Sequence, residues 1–332
     1  MAVPEPGSVS WSDEIDSILG GDLTAALAYA TPAGGAAVIA VAPIGLRDRA
    51  AGTVGFTTSL GVGRKLDRIR REPRVALAFH ARKHGFASSE RFVLVQGTAD
   101  IVMDSRQDQI DHIVEQGVRH LGSLPRRPRF FWDRWLREYI DVRVPVIVTV
   151  TRIVSWPDPG CNGTPEVLGA PLPAWPPAAQ PLTQGGTATP VDAVRVARRI
   201  GRLPYQLLAF LDADAAPTIV PVRVEPAGSD GMRLRGPAGL LPPGRRRAGL
   251  LAHDYRPQLV GLTTRYLTGW LEAGDSGEPV RYSPRTDKGF SAPPNKTIML
   301  LVNGLLAKRG VRTATRRGEL PQLPAPLRHS DR

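Results

Sequence analysis

Short apolar runs broken by turn-forming residues fill the first half of the chain. Residues 23–30 and 36–41 are two such runs, and Pro32, Ala33, Gly34 and Gly35 between them favour a reversal, so the pattern predicts a β-hairpin. A third strand is expected near 53–57, and others near 74–81 and 91–102. The period then changes. Ile110, Ile113, Val114 and Val118 share one face at helical spacing, which predicts a helix from about 105 to 120, and a second helix is expected over 130–139. Residues 142–154 are β-branched enough for a long strand, with Pro145 marking an edge or a bulge. Antiparallel strands this numerous need closure or covering, and a small barrel supplies it. Towards the other end, residues 295–309 read as a packed amphipathic helix.

Between 157 and 190 the chain turns to Pro, Gly, Ala and Thr, with neither a strand nor a helix period, and reads as a linker, partly extended and lying along the surface. Beyond it the first half repeats. Ala28-Tyr29-Ala30-Thr31 before Val38-Ile39-Ala40-Val41 is answered by Ala209-Phe210-Leu211-Asp212 before Ile219-Val220-Pro221-Val222. Arg74 through His80 parallels Arg247 through His253, and Arg91-Phe92-Val93-Leu94 with Gly97 is roughly answered by Arg265-Tyr266-Leu267-Thr268 with Gly269. The expected organisation is a first barrel over 20–156, a linker over 157–190, a repeat over 191–312 and a mobile tail over 313–332. The repeat departs from the original in one place. Pro237, Pro242 and Pro243 crowd the segment 236–244, which is a poor host for a helix, so the second copy is expected to be degenerate there.

Composition narrows the class of function. At 332 residues and 42% hydrophobic, the chain is long enough for two units with a sizeable core. One cysteine, Cys161, makes no internal disulfide and no thiolate metal site, and is read as an inert loop residue. The start lacks a basic, apolar leader and no run reaches about 18 apolar residues, so a cytoplasmic protein with no membrane partner is expected. Lys and Arg number 43 against 31 Asp and Glu, a formal charge of +12 that attracts phosphorylated or polyanionic ligands. Nucleic acid is not expected as a partner, because the basic residues are dispersed, aromatics are few and no helix-turn-helix or zinc pattern occurs. The six histidines lack metal-ligand spacing, so no metal is expected. His80 and His253, at matching strand ends, are read as structural, the other reading being a ligand-facing hydrogen-bond donor. No nucleophile signature occurs, and the catalytic residues are unknown at this level.

The most informative segment is 55–79. Thr57, Thr58 and Ser59 end a strand, a glycine-punctuated turn follows, and Arg64 and Lys65 open a short helix that Pro73 stops. A helix start offers unpaired N–H groups and a positive dipole end, the hydroxyls offer short hydrogen bonds, and the two cations offer a fork and a point charge. These are the donors of a phosphate seat, with Arg68 as a further candidate. As composition alone, Arg64, Lys65, Arg68, Arg70, Arg71 and Arg74 also fit a solvated helix face.

The order of these parts resembles the pyridoxamine 5′-phosphate oxidase-like, FMN-binding split-barrel superfamily, which includes deazaflavin-dependent reductases. The matching residues are Thr57, Thr58, Ser59, Arg64 and Lys65 with the passage 72–77, then 91–99 and the closing Arg152-Ile153-Val154-Ser155-Trp156. The resemblance implies a mainly β fold with inserted helices, here tandem split β-barrels, and Thr57, Thr58, Ser59, Arg64, Lys65 and Arg68 as cofactor-binding residues. It implies FMN as cofactor, or alternatively the 5-deazaflavin coenzyme, and an oxidoreductase acting on a small molecule; a non-enzymatic flavin- or haem-binding protein is the other reading. Members usually pair, so an intrachain pseudo-dimer or a homodimer is expected. In such a pairing Arg245, Arg246 and Arg247 either face the first copy's ligand or form a solvated turn. Phe130, Phe131, Trp132 and Trp135 either cover a flavin ring or belong to a helix core. The superfamily's substrate-binding Arg and His pattern has no match, which argues against pyridoxamine phosphate as substrate.

Overall fold

A computed structural model describes residues 9–59, 63–102, 107–122, 135, 143–181, 191–225, 231–274 and 280–316. The chain begins with helix α1 (Asp13–Gly21), whose Ser12 side chain caps the Ile15 N–H and whose first turn carries Asp13, Glu14 and Asp16 against the positive dipole end. Ile15, Ile18 and Leu19 bury its inner face. Strands β1 (Ala25–Ala30) and β2 (Ala36–Val41) form the expected hairpin, closed by Thr31 and Gly35. Then follow β3 (Arg47–Asp48), β4 (Thr53–Ser59), α2 (Gly63–Arg71), β5 (Arg74–Phe79), β6 (Phe92–Ile101), α3 (Gln107–Leu121) and β7 (Arg143–Trp156). Their sheet runs β2-β1-β5-β6-β7-β4-β3, all antiparallel, and an isolated bridge from Ala42 to Thr57 draws its ends together.

The second unit repeats this plan. Helix α4 (Ala193–Ile200), capped by Asp192, precedes β9 (Tyr205–Leu211), β10 (Pro217–Pro221), β11 (Arg223–Glu225), β12 (Met232–Arg235), β13 (Gly244–Asp254), β14 (Thr263–Ala273) and β15 (Val280–Ser291). Its order, β10-β9-β13-β14-β15-β12-β11, is the first order strand for strand. The ladders fix the correspondence: Ala28 pairs with Ala76 as Ala209 pairs with Gly249, so Arg74 matches Arg247 and His80 matches His253, as the sequence pattern has them. One alignment shifts. Gly97 matches Gly269, but Val93 rather than Arg91 stands where Arg265 does. Opposite each glycine the ladder slips by one residue, Thr151 being the extra one on β7 and Arg285 on β15, and a Cβ on Gly97 or Gly269 would stand 2.2 Å from the carbonyl oxygen of Thr149 or Ser283. Only glycine fits this approach.

Pro145 falls on a central strand, not an edge. It is tolerated because β6 pairs with β7 only as far as Val146, so the missing N–H lies just past the ladder, where the Pro145 carbonyl accepts from the Val102 N–H. The linker is more ordered than its composition implies. Residues 166–169 form β8 (Glu166–Gly169) against β7. Of the helix expected at 130–139, only residue 135 is described; the segment 182–190 and the tail beyond 316 also lie outside the described residues. Helix α5 (Lys296–Arg316) ends the described chain, and Trp135 packs on it, donating to the Leu301 carbonyl. No helix among the described residues is long and apolar enough to cross a membrane.

Three of the apolar clusters among the described residues hold most of the molecule together. One fills the first barrel, where Leu27, Phe56, Ile69, Leu77 and Val146 meet, and one fills the second around Leu208, Phe210, Leu250 and Leu271. A third joins them: Ala26, Ala28, Val38, Ala76 and Ala78 face Leu207, Ala209, Ile219 and Leu251. In β1 the odd residues fill the barrel and the even ones meet the other repeat, as strand alternation requires. Val38, Leu207, Ile219 and Leu251, fully buried there, each contribute about 1.5–3 kcal/mol of transfer free energy, and the small alanines let the two layers approach. The fold is mainly β, two barrel-like units in tandem, the second lacking a helix between its fourth and fifth strands.

Candidate functional site

The first repeat joins β4 to β5 through α2, and the local sequence explains the turn of the chain there. Leu66 and Ile69, three residues apart, are buried against the barrel, and Pro73 ends the helix because it has no N–H to continue it. Thr57 and Thr58 occupy successive positions of β4 and point to opposite faces, yet both are buried. Lys65 is only 5% exposed, and its ammonium donates to Thr58 Oγ1 at 2.5 Å while standing 5.8 Å from the centre of the Phe56 ring. A hydroxyl that accepts from an ammonium keeps its own O–H to donate. The first turn of α2 contains no acidic residue.

Arg68, half-buried one turn along, stands close enough to the Tyr29 phenol to act on it. Burial pushes the Tyr29 phenol up, and the Arg68 guanidinium opposes it; Tyr266 of the second repeat lies close enough to act on the same phenol. Neither tyrosine was singled out by the sequence pattern as a site residue. Their signal was available only through the repeat, which places Tyr29 on β1 and Tyr266 on β14.

Four of the six residues assigned to the seat, Thr57, Thr58, Lys65 and Arg68, thus belong to one short stretch of barrel end. The side chains of Ser59 and Arg64, and residues 60–62, lie outside the described residues. Other basic residues of the segment go elsewhere. Arg70 pairs with Asp67 at 3.6 Å and Arg74 with Glu72 at 2.6 Å, while Arg74 also donates to the Asp214 carbonyl of the second repeat. Arg71 is exposed. The solvated-face reading therefore describes Arg70 and Arg71, and the inward reading describes Lys65.

Arg245, Arg246 and Arg247 form neither a turn nor a common surface, because they begin strand β13. Arg245 pairs with Glu272 at 2.6 Å, and Arg247 lies over the Trp270 ring at 4.9 Å. Arg246 is buried, and burial lowers its pKa. Trp135 belongs to the packing of α5, where Lys308 also lies over its ring at 4.2 Å, rather than to a ligand cover; Phe130, Phe131 and Trp132 are outside the described residues. An open cleft of about 270 Å³ on α4, lined by Arg195, Arg198, Arg199 and Arg202, shows where part of the basic excess resides.

His80 and His253 meet where the repeats join, Nε2 to Nε2 at 2.7 Å with the rings perpendicular. His80 Nδ1 lies 3.0 Å from the Ala78 carbonyl and must donate to it, so its Nε2 accepts and His253 supplies the shared proton. His253 Nδ1 is then a bare acceptor, in keeping with its having no partner among the described residues. Burial lowers the His80 pKa to about 4 and holds that of His253 well below the usual value, so the pair is neutral at pH 7. The structural reading of these histidines holds. Elsewhere along the join, Gln96 donates to the Pro217 carbonyl at 2.8 Å and accepts from Arg152 at 2.7 Å, a polar tie that the pattern of the sequence did not reveal. Burial raises the Cys161 pKa, which agrees with an inert thiol.

No protein-family model and no curated protein matches the chain. Solved structures do. A conserved hypothetical protein from Mycobacterium tuberculosis is similar at 22% identity over 47% of this chain and 90% of that one, with a TM-score of 0.34. A pyridoxamine 5′-phosphate oxidase-related, FMN-binding protein from Nostoc punctiforme is 13% identical over 40% of this chain and 73% of its own, with a TM-score of 0.27. An FAD-binding protein from Mesorhizobium loti is 15% identical over 44% and 94%, with a TM-score of 0.30. Each covers less than half of this chain, so the duplication is read from the chain's own strand order. The solved proteins it is similar to include one of the pyridoxinephosphate oxidase family and one related to pyridoxamine 5′-phosphate oxidase, and by its own strand order the chain is a tandem of two split-barrel units.

Proposed function

We propose that the chain binds FMN with its phosphate end at the β4–α2 junction and acts as a flavin-dependent oxidoreductase on a small molecule. The observation that carries this reading is the buried Lys65 ammonium bonded to Thr58 where the strand passes into the helix. Hydroxyl, ammonium and guanidinium groups are the donors that phosphate oxygens take, and the first turn of α2 has no carboxylate to repel an anion. The residues present therefore fit the group. Thr57, Thr58, Ser59, Arg64 and Lys65 would hold the phosphate, and Arg68 would set the Tyr29 ring beside it.

When bound, the flavin supplies hydride transfer, so the chain needs no acid or base of its own for that chemistry. What the chain supplies is anchoring, orientation and exclusion of water. In this reading the second repeat takes the part of a partner subunit, its Tyr266 flanking the first repeat's seat. The excess of basic residues favours the 5-deazaflavin coenzyme as the second reading, since that coenzyme's tail is polyanionic.

Titration of the purified protein with FMN, followed by anaerobic addition of a reduced nicotinamide, tests the proposal. Perturbed flavin absorbance on binding and bleaching on reduction are expected. Uptake of added deazaflavin but not FMN would reverse the order of cofactors, and FMN binding without reduction or turnover of dye acceptors would leave a carrier in place of an enzyme.

A further inference from the structure

The two repeats share a strand order but differ at the ligand seat, and the linker explains the difference. Phe56 and Leu234 stand opposite matching positions of β7 and β15, Val146 and Val280, so Arg235 answers Thr57 and Gly236 answers Thr58. Both hydroxyls are thus missing from the second repeat. A Cβ on Gly236 would stand 2.7 Å from the Leu241 side chain, which is itself buried in the second barrel. Where α2 covers the first barrel with Leu66 and Ile69, the second is covered by a loop bearing Leu241.

The linker completes that cover. Pro177 is buried, and its carbonyl accepts from the buried Arg246 at 3.1 Å; Arg246 also donates to the Pro243 carbonyl at 2.5 Å. Strand β13 pairs with β9 only from Gly249 onward, which leaves one edge of its first residues open. Gln180 occupies that edge, its N–H donating to the Arg245 carbonyl at 2.6 Å and its Oε1 accepting from the Arg247 N–H at 2.9 Å. The Gln180 amide also reaches the Gly34 carbonyl of the first repeat at 2.7 Å, so the linker is bonded to both units. Trp175 stands 6.5 Å, ring centre to ring centre, from Phe210, the residue that answers Tyr29. In the first repeat the corresponding neighbour is Arg68 on α2.

We infer that residues 175–180 are a built-in plug of the second repeat's ligand seat, so that the tandem chain takes one phosphate-bearing ligand and takes it in the first repeat. The inference rests on the proposed seat for its stoichiometry and on the linker contacts alone for the plug. A symmetric pair of split barrels presents two equivalent seats. Fusion into one chain has left one seat with its donors and used the connecting segment to close the other.

Two measurements on the full chain test this. Calorimetric titration with FMN should saturate at one equivalent per chain, and backbone hydrogen exchange should show the Gln180 amide protected on the order of 100-fold over the free-peptide rate, with or without FMN. Q180A and R246A should each speed exchange across 175–180 while leaving the FMN equivalents at one. Two equivalents per chain, or exchange of 175–180 at the free-peptide rate in the unaltered protein, would overturn the plug. Failure to bind FMN at all would count against the proposed function instead, and the exchange rates would then decide the plug by themselves.

Discussion

Replacing Lys65 with alanine is expected to weaken FMN binding on the order of 100-fold, the loss that goes with removing a charge-assisted hydrogen bond to a phosphate. The same change should leave stability unchanged or slightly raised. A buried ammonium carries a desolvation cost that its removal relieves, and the Thr58 hydroxyl it leaves behind is uncharged. The two readouts therefore move apart: affinity falls while the melting temperature holds. Fluorescence titration with FMN beside a thermal melt checks this, and an unchanged affinity in a folded K65A protein would remove Lys65 from the seat.

The second large effect concerns the duplication. Gly97→Ala and Gly269→Ala each place a methyl group 2.2 Å from a backbone carbonyl oxygen, Thr149 in one repeat and Ser283 in the other. Backbone cannot rotate away as a side chain tip can, so β7 or β15 must shift at the bulge. A loss of roughly 3 kcal/mol or more is expected from each, at the upper end of overpacking costs. Denaturant unfolding of the two variants measures it. Comparable losses at both sites bear out the matched bulges, whereas a loss below about 1 kcal/mol at either would show that the ladder there is free to relax.

Much of the architecture was legible in the sequence because strand alternation and repeated offsets survive without knowledge of contacts. The hairpin over β1 and β2, the long β7, and the match of Arg74 through His80 with Arg247 through His253 all follow from local pattern. Helices α1 and α4 went unread although Ser12 and Asp192 are ordinary capping residues; each helix is short, and the apolar spacing of Ile15, Ile18 and Leu19 covers only two turns. Pro145 was misplaced for a different reason. Whether a strand is central depends on distant partners, and the missing N–H mattered only relative to where β6 stops pairing. The roles of Arg246 and Gln180 were beyond reach, since a linker's composition says nothing of what it lies against.

At the seat, the sequence could name donor types but not which of six cations turn inward. Lys65 does so because it stands four residues before the buried Ile69, on the same face of α2, while Arg71 falls on the opposite face and Arg70, at the border, is exposed and pairs with Asp67. The Tyr29–Arg68 contact needed the fold, for it joins the first strand to a helix almost forty residues on.

Comparison of FMN with riboflavin as ligands for the unaltered chain tests the central claim most directly, because the two differ only in the phosphate. If hydroxyl and cationic groups at the β4–α2 junction grip that phosphate, FMN should bind on the order of 100-fold more tightly than riboflavin, and the K65A substitution should shrink the gap. Equal affinity for both, or no affinity for either, would contradict it.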